Sequence, residues 1–515
     1  MLIYARLPPE SYAAFYTALA AIIGISLIVK ALRTPRLLLP PGPRGLPVLG
    51  YIPFLGTQLH LTFTKLGDLY GPIYKIWLGR KLCVILSSPD VVSEVVKDQD
   101  AIFANRDSTV ASMIATYGGN DIGFGDYNPE WRKLRKIFMH KMLGNSTLDA
   151  SFGLRREAVK KSVREVYGKI GTSVNIGQVG RRIVINGMVS MIWGGSVKGV
   201  VEGSDLQGLL GELMELVGAP NVSDFFPALA WLDLQRIEVR IKKMFDQIDR
   251  MFDLVIARNQ ENMEEEASSQ ESSKRSTDLL QYLMELKDSD DASSSISITQ
   301  VKAMLMDIAV GGSDTTSSTL EWAMSELLLH PQAMKTVQEE LIQVVGLDDL
   351  VTESHLPKLH YLDAVIKETQ RLHPAFPLLV PRRPSQATEV GGYFIPEDTK
   401  VFINVYAMHR NPTLWDSPLE FRPERFLDGE TNWNYSGKDM KYLPFGSGRR
   451  ACPGIPLAER SLKYVLASFV HCFDWEVPKG VKIDLEEIFG ITMRKKEPLA
   501  AIPTPRLSIL ELYDE

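Results

Sequence analysis

Cysteine is scarce in this chain: three among 515 residues, at Cys83, Cys452 and Cys472. That excludes a disulfide framework and points to a body facing a reducing compartment. The sequons at Asn145 and Asn221 are then expected to stay unmodified. No second cysteine or histidine stands near Cys452 at ligand spacing, which excludes a zinc site there. Positive charge is not in excess either. Lysine and arginine number 57 against 63 acids, a net charge of −6, which argues against a general nucleic-acid binder. Internal repeats are absent, and apolar residues make up an ordinary 45%.

One charge-free run stands out. Residues 11–29 carry no ionisable lysine, arginine, aspartate or glutamate, and the run is just long enough to cross a bilayer as a helix. Lys30, Arg33 and Arg36 follow it, against Arg6 alone before it. The positive-inside rule then puts the body in the cytosol. A cleaved leader carries its basic residues on the other side, so a retained anchor is expected. Pro40-Pro41-Gly42-Pro43-Arg44-Gly45-Leu46-Pro47 reads as a stiff hinge. The expected layout is a tail at 1–10, an anchor at 11–29, a basic and proline-rich hinge at 30–47, and a catalytic body at 48–515.

Within the body, Pro72 to Leu78 and Cys83 to Leu86 read as paired strands around a Gly79-Arg80 turn. After Pro89 the pattern becomes helical. Two polar runs, 259–276 and 287–297, bury little and are expected to be mobile surface loops around a short apolar helix. Ile298 to Leu329 reads as one long helix that ends before Pro331. Its middle is Gly311-Gly312-Ser313-Asp314-Thr315-Thr316. The glycines leave room over the helix surface, and a threonine there can bond back to the carbonyl four residues earlier. Read alone, this is most simply a kink with a hydroxylated face.

The richest stretch is Phe445-Gly446-Ser447-Gly448-Arg449-Arg450-Ala451-Cys452-Pro453-Gly454. It sets one cysteine among glycines and beside arginine, where a thiolate is stabilised. Gly446-x-Gly448-x-x-Ala451 imitates a dinucleotide fingerprint, but Pro444 interrupts any strand before it and the loop continues past it. Phe445, Gly448, Arg450, Cys452 and Gly454 resemble the haem-binding signature of the cytochrome P-450 superfamily. Asp314 and Thr315 resemble its oxygen-activation motif, and Glu368, Arg371 and Arg425 its Glu-x-x-Arg and Pro-Glu-Arg-Phe triad. Trp131 and Arg135 resemble its Trp-x-x-x-Arg.

That resemblance, from about residue 36 to residue 506, implies a mainly α fold with a small β region. It implies one large haem domain behind the membrane helix. It makes Cys452 the thiolate ligand of haem b, with Phe445 and Gly454 shaping the loop. It gives the haem propionates to Trp131, Arg135, Arg382 and Arg450, proton delivery during dioxygen activation to Thr315 and Asp314, and structural locking to the triad. NADPH–cytochrome P-450 reductase at the endoplasmic reticulum is the implied electron donor, with Arg132, Lys133 and Lys136 as docking candidates. Family placement draws the pocket from Phe103, Ala309, Ala375, Phe376, Leu379, Phe489 and Ile491.

The chain looks like plant microsomal members. It is similar to sesquiterpene hydroxylases of the cadinene type, and more distantly to flavonoid 3′-hydroxylases. The apolar stretch Ala375 to Val380 favours a lipophilic terpenoid over a polyphenol. A reductase-independent haem isomerase or dehydratase, and a non-catalytic haem sensor, are the other readings. The first lacks the distal threonine, and the second needs no acid–alcohol pair.

Overall fold

The computed structural model describes residues 38–193, 206–268, 279–289, 291, 295–429 and 433–514. The anchor expected at 11–29 lies outside them, and among the described residues no helix is long and apolar enough to cross a membrane. The hinge reaches them at Leu38. From there the backbone runs extended beside the first strand, where Lys75 N donates to Pro41 O at 2.8 Å.

Helices dominate, with one main sheet at the side. Strands β1 (Ile73–Leu78) and β2 (Lys81–Leu86) pair antiparallel from Ile73 opposite Leu86 to Leu78 opposite Lys81, as the sequence pattern predicts. Gly79 makes the turn at φ 60°, a conformation that costs glycine nothing. Strands β3 (Asn105–Arg106), β4 (Arg382–Arg383) and β5 (Lys400–Ile403) complete a sheet of order β1-β2-β5-β4-β3. This order lays Arg106 directly beside Arg382.

The helices that build the site are α1 (Pro129–Ile137), α2 (Ile176–Trp193), α3 (Leu206–Gly218), α4 (Ile237–Ser268), α5 (Ile298–Leu329), α6 (His360–Leu372) and α7 (Ile455–Cys472). Helix α5 occupies its predicted bounds. Ser297 and Gln300 cap its start reciprocally, each side chain accepting the other's backbone N–H, and the chain leaves the helix at His330 before Pro331. Most of α5 is buried, and its most extensive packing is against α2. Helix α4 overturns part of the loop expected at 259–276, because the helix runs on to Ser268. Glutamate, methionine, alanine and glutamine propagate a helix well even where they bury little. In the second polar run Lys287 ends a helix, and the described residues from Asp288 to Ser297 are non-helical.

Candidate functional site

One cavity runs between the middle of α5, the loop leading into α7, and the segment from Ala375 to Arg382. Cys452 lies at its floor. Cys452 is half-buried as a residue and lines the cavity. Cys452 N donates to Phe445 O at 2.9 Å, which closes the loop. Gly454 N donates to the Cys452 Sγ at 3.3 Å, one residue before α7 begins. Burial pushes the thiol up, and the Gly454 N–H and the Arg135 charge pull it back. A helix N-terminus adds favourable potential for an anion there. Gly448 is needed on two counts. Its φ is 69°, and a Cβ would fall 2.4 Å from Val96 O and 2.7 Å from Asp100 Oδ1.

Beside the sulfur, arginines converge. Asn128 caps α1 by accepting from Trp131 N at 2.8 Å, which sets Trp131 and Arg135 one turn apart. Trp131 is buried, with Arg450 4.2 Å above its ring and Arg135 at 5.4 Å. Arg135 donates to Ala451 O at 2.6 Å. Arg450 donates to the carbonyls of Ala104, Ile122 and Gly125. Arg382 bonds Ser447 O at 2.7 Å and Asp100 at 3.2 Å.

A further member, Arg106, lacks any sequence signal. It stands alone in Ala104-Asn105-Arg106-Asp107 and reaches the site through its pairing with Arg382 across β3 and β4. It donates to Val380 O at 2.6 Å. Burial, then its neighbours Arg450 and Arg382, drive Arg106 far below the usual guanidinium range. Burial and Arg382 bring Arg450 down to about 9. Guanidiniums crowded this way are relieved by carboxylates they can grip in pairs. The wall therefore fits a cofactor bearing two carboxylates, placed above a cysteine sulfur.

Across the cavity, Gly311 is open to the space: a Cβ there would meet nothing within 4 Å. The Thr315 hydroxyl lines the cavity and donates back to Gly311 O at 2.8 Å. A chain with this cysteine loop matches the family model "Cytochrome P450" over residues 40–501.

The chain belongs to the cytochrome P450 family.

It is 38% identical to a flavonoid 3′-monooxygenase from Crocosmia x crocosmiiflora over 91% of this chain and 93% of that protein. A flavonoid 3′,5′-hydroxylase from Campanula medium is 35% identical over 91% and 92%. Cytochrome P450 84A1 from Arabidopsis thaliana is 35% identical over 94% of each chain. Among solved structures, a zebra fish cytochrome P450 with progesterone superimposes with a TM-score of 0.73 at 28% identity. It covers 87% of this chain and 99% of the other. The zebra fish structure with abiraterone gives 0.71 at 27%, covering 88% and 100%. The P450 cofactor is haem, and the family activity is monooxygenation.

In this P450 the triad is assembled in the interior, Glu368 and Arg371 with no solvent exposure and Arg425 buried beside them. Arg371 grips Glu368 through Nε at 2.7 Å and Nη2 at 2.8 Å, and Arg425 Nε reaches the same carboxylate at 2.9 Å. Arg371 also serves the carbonyls of His409, Pro418 and Glu420. The ion pair is thus also the hydrogen-bond partner of the loops around it.

The remaining candidates lie at different distances from this cavity. Asp314 does not line the cavity. Its buried carboxylate is held by Arg494 at 2.5 Å and Arg181 at 3.3 Å. Successive helix positions are about 100° apart, which carries Asp314 off the face that Thr315 presents. Ala375, Phe376 and Leu379 line the cavity as expected, but Phe103, Ala309, Phe489 and Ile491 do not. Phe103 is wholly buried in the core between the sheet and its helices. Ala309 is packed inside the helical core, and Ile491 sits against it beside Gly218. Phe489 stacks on His60 at 5.2 Å. Of the docking candidates, Arg132 and Lys136 are exposed, while Lys133 is tied to Glu130 at 2.8 Å and to Ser295 O.

Proposed function

We propose that this P450 hydroxylates a flavonoid or a closely related plant phenolic, drawing electrons from NADPH through a separate reductase. The observation that carries the reading is the 38% identity to a flavonoid 3′-monooxygenase across nine-tenths of both chains. This displaces the terpenoid preference read from Ala375 to Val380. Those apolar walls suit the face of an aromatic ring as well as an isoprenoid, so they do not separate the two classes.

Haem bound through Cys452 supplies the activation of dioxygen. Arg106, Arg135, Arg382 and Arg450 would hold its carboxylates, with Trp131 bracing two of them. Thr315 offers a hydroxyl inside the cavity, able to accept and pass a proton. Asp314 stands on the outer side of the same turn. Its partners Arg181 and Arg494 border an open polar depression that also takes in Gln207, Glu212, Glu215 and Arg240. Protons would come from that side, through Asp314 to Thr315. Ile122, Ile308, Phe376 and Leu379 keep water from the reacting carbon. The uncharged run at 11–29 would hold the protein in the endoplasmic reticulum membrane with its body in the cytosol, and Arg132 and Lys136 would meet the reductase.

Microsomes containing this chain and a plant reductase should be given flavanones, flavones, phenylpropanoids and a cadinene-type sesquiterpene, with products read by mass spectrometry. Oxygenation of a flavonoid, with the sesquiterpene untouched, is the expected result. Turnover of the sesquiterpene alone would restore the terpenoid reading. Product formed from a hydroperoxide without reductase would favour the isomerase.

A further inference from the structure

Two acids meet behind the cavity wall. Asp307 lies on α5, two turns before Asp314, and Asp121 lies on the loop before α1. Asp121 is almost wholly buried, while Asp307 is half-buried and lines the cavity. Asp121 Oδ2 and Asp307 Oδ1 lie 3.1 and 3.4 Å from the point where a Cβ on Gly123 would stand, which brings the two carboxyl groups within reach of a side-chain hydrogen bond. Two carboxylates cannot make such a bond without a proton between them. The remaining oxygens are occupied from one side only. Asp307 Oδ2 accepts Ile122 N at 2.8 Å. Asp121 accepts Phe124 N at 3.0 Å and Gly125 N at 2.8 Å.

The loop pinned in this way does much of the cofactor wall's work. Ile122 O receives Trp131 Nε1 at 3.0 Å and Arg450 Nη1 at 3.1 Å. Gly125 O receives Arg450 Nη2, and Gly123 O receives Arg106 Nε at 3.1 Å. Each carbonyl lies within four residues of Asp121. Gly125 is not free to change: a Cβ there would fall 2.5 Å from Asp121 O and 2.6 Å from Gly119 O.

We infer that Asp307 and Asp121 form a one-proton carboxyl pair that positions the haem-facing arginines, with Asp307 the protonated donor and Asp121 the charged acceptor. The assignment follows from the surroundings. Asp121 takes two backbone N–H bonds and faces the positive charges of Arg450 and Arg106, all of which favour its charged form. Asp307 is approached by the N–H groups of Ile122 and Gly123, but the charge beside it is the negative one of Asp121. Burial raises both acids, Asp121 to about 6 and Asp307 well beyond the usual carboxylate range. Both are positioning residues, acting on the cofactor through Arg106, Arg450 and Trp131. The inference rests on the haem site of the family and is independent of the substrate class.

The asymmetry supplies the test. In Asp307→Asn, the amide imitates a protonated acid: its oxygen accepts from Ile122 and its NH2 donates to Asp121. In Asp121→Asn, the NH2 group meets backbone N–H donors and cannot accept from them. The full-length, haem-loaded protein in detergent should therefore keep its haem content and its reduced carbon monoxide spectrum in Asp307→Asn. Asp307→Ala and Asp121→Asn should each lose most of both. Infrared difference spectra between unsubstituted protein and Asp307→Asn at neutral pH give a second readout that does not depend on a folding-competent Asp121 variant. The unsubstituted protein should show the C=O stretch of a protonated carboxylic acid that Asp307→Asn lacks. Absence of that band, or haem loss in Asp307→Asn equal to that in Asp307→Ala, overturns the pair.

Discussion

The Cys452 loop and the middle of α5 bound the same cavity, and they meet its demands by different means. The loop works through backbone: Gly448 at φ 69°, Cys452 N on Phe445 O, Gly454 N on the sulfur. Behind it, the Glu368 triad is locked in the interior, with Glu368 and Arg371 fully buried. Helix α5 works through what it omits. Gly311 opens the wall, Thr315 folds back on its own helix, and Asp314 is turned away to Arg494 and Arg181. One wall fixes an atom, and the other leaves room and a movable proton. Damage to the first should therefore remove the cofactor or the fold, and damage to the second should spare both and spoil the chemistry.

The largest effect belongs to the sulfur. Cys452→Ser should abolish turnover and the red-shifted Soret band of the reduced carbon monoxide complex, since a serine hydroxyl is no thiolate donor. Cys83→Ser and Cys472→Ser should leave the band intact, both thiols being buried and burial pushing each up to about 12. A normal band in Cys452→Ser would falsify the ligand assignment. Next comes the triad. Glu368→Ala strands two buried guanidiniums, a change that typically costs about 3–5 kcal/mol. It should appear as loss of folded, haem-bearing protein on expression.

On the other wall, Thr315→Ala should keep haem, substrate binding and NADPH consumption while losing product. A general acid–base step is worth roughly 10²–10⁴-fold, so product per NADPH should drop by about tenfold or more, with hydrogen peroxide rising in step. Asp314→Asn should slow turnover with coupling better preserved, since the cavity hydroxyl remains. Unchanged coupling in Thr315→Ala would move proton delivery to another group.

The same contrast explains what could be read from sequence. The cysteine loop, the Glu368–Arg371 pair and the bounds of α5 are each written in contiguous or closely spaced residues, because backbone geometry and a helical i,i+3 pair are local requirements. Arg106 is not legible, because it joins the arginine cluster only when β3 pairs with β4, across more than 270 positions. Asp121 and Asp307 escape notice for the same reason. Phe103 and Phe489 show why aromatic residues are ambiguous in sequence: such a ring serves a core as readily as a ligand, and here Phe103 packs in a core and Phe489 stacks on His60. The acidic stretch after Asn259 misled in another way: polarity was taken for a loop where helix propensity carried α4 on to Ser268.

The smallest effect, and the sharpest test of how α5 makes its wall, lies in its two adjacent glycines. Alanine is favoured over glycine within a helix by about 1 kcal/mol. At Gly311 a new Cβ would meet nothing within 4 Å, so Gly311→Ala should collect that gain and raise the thermal midpoint slightly. The same methyl enters the cavity, so substrate affinity should weaken and the site of oxygenation should shift for a flat ligand. At Gly312 the Cβ would fall 2.4 Å from Met188 Sδ. Methionine is flexible and gives way, yet overpacking commonly costs about 1–3 kcal/mol, which cancels or outweighs the helical gain. Gly312→Ala should therefore be neutral or slightly destabilising and leave the product pattern nearly unchanged. Calorimetry and product profiles of the two variants, made side by side, decide it. If Gly311→Ala destabilises more than Gly312→Ala and leaves the products alone, then Gly311 serves packing, and the open face of α5 lies elsewhere.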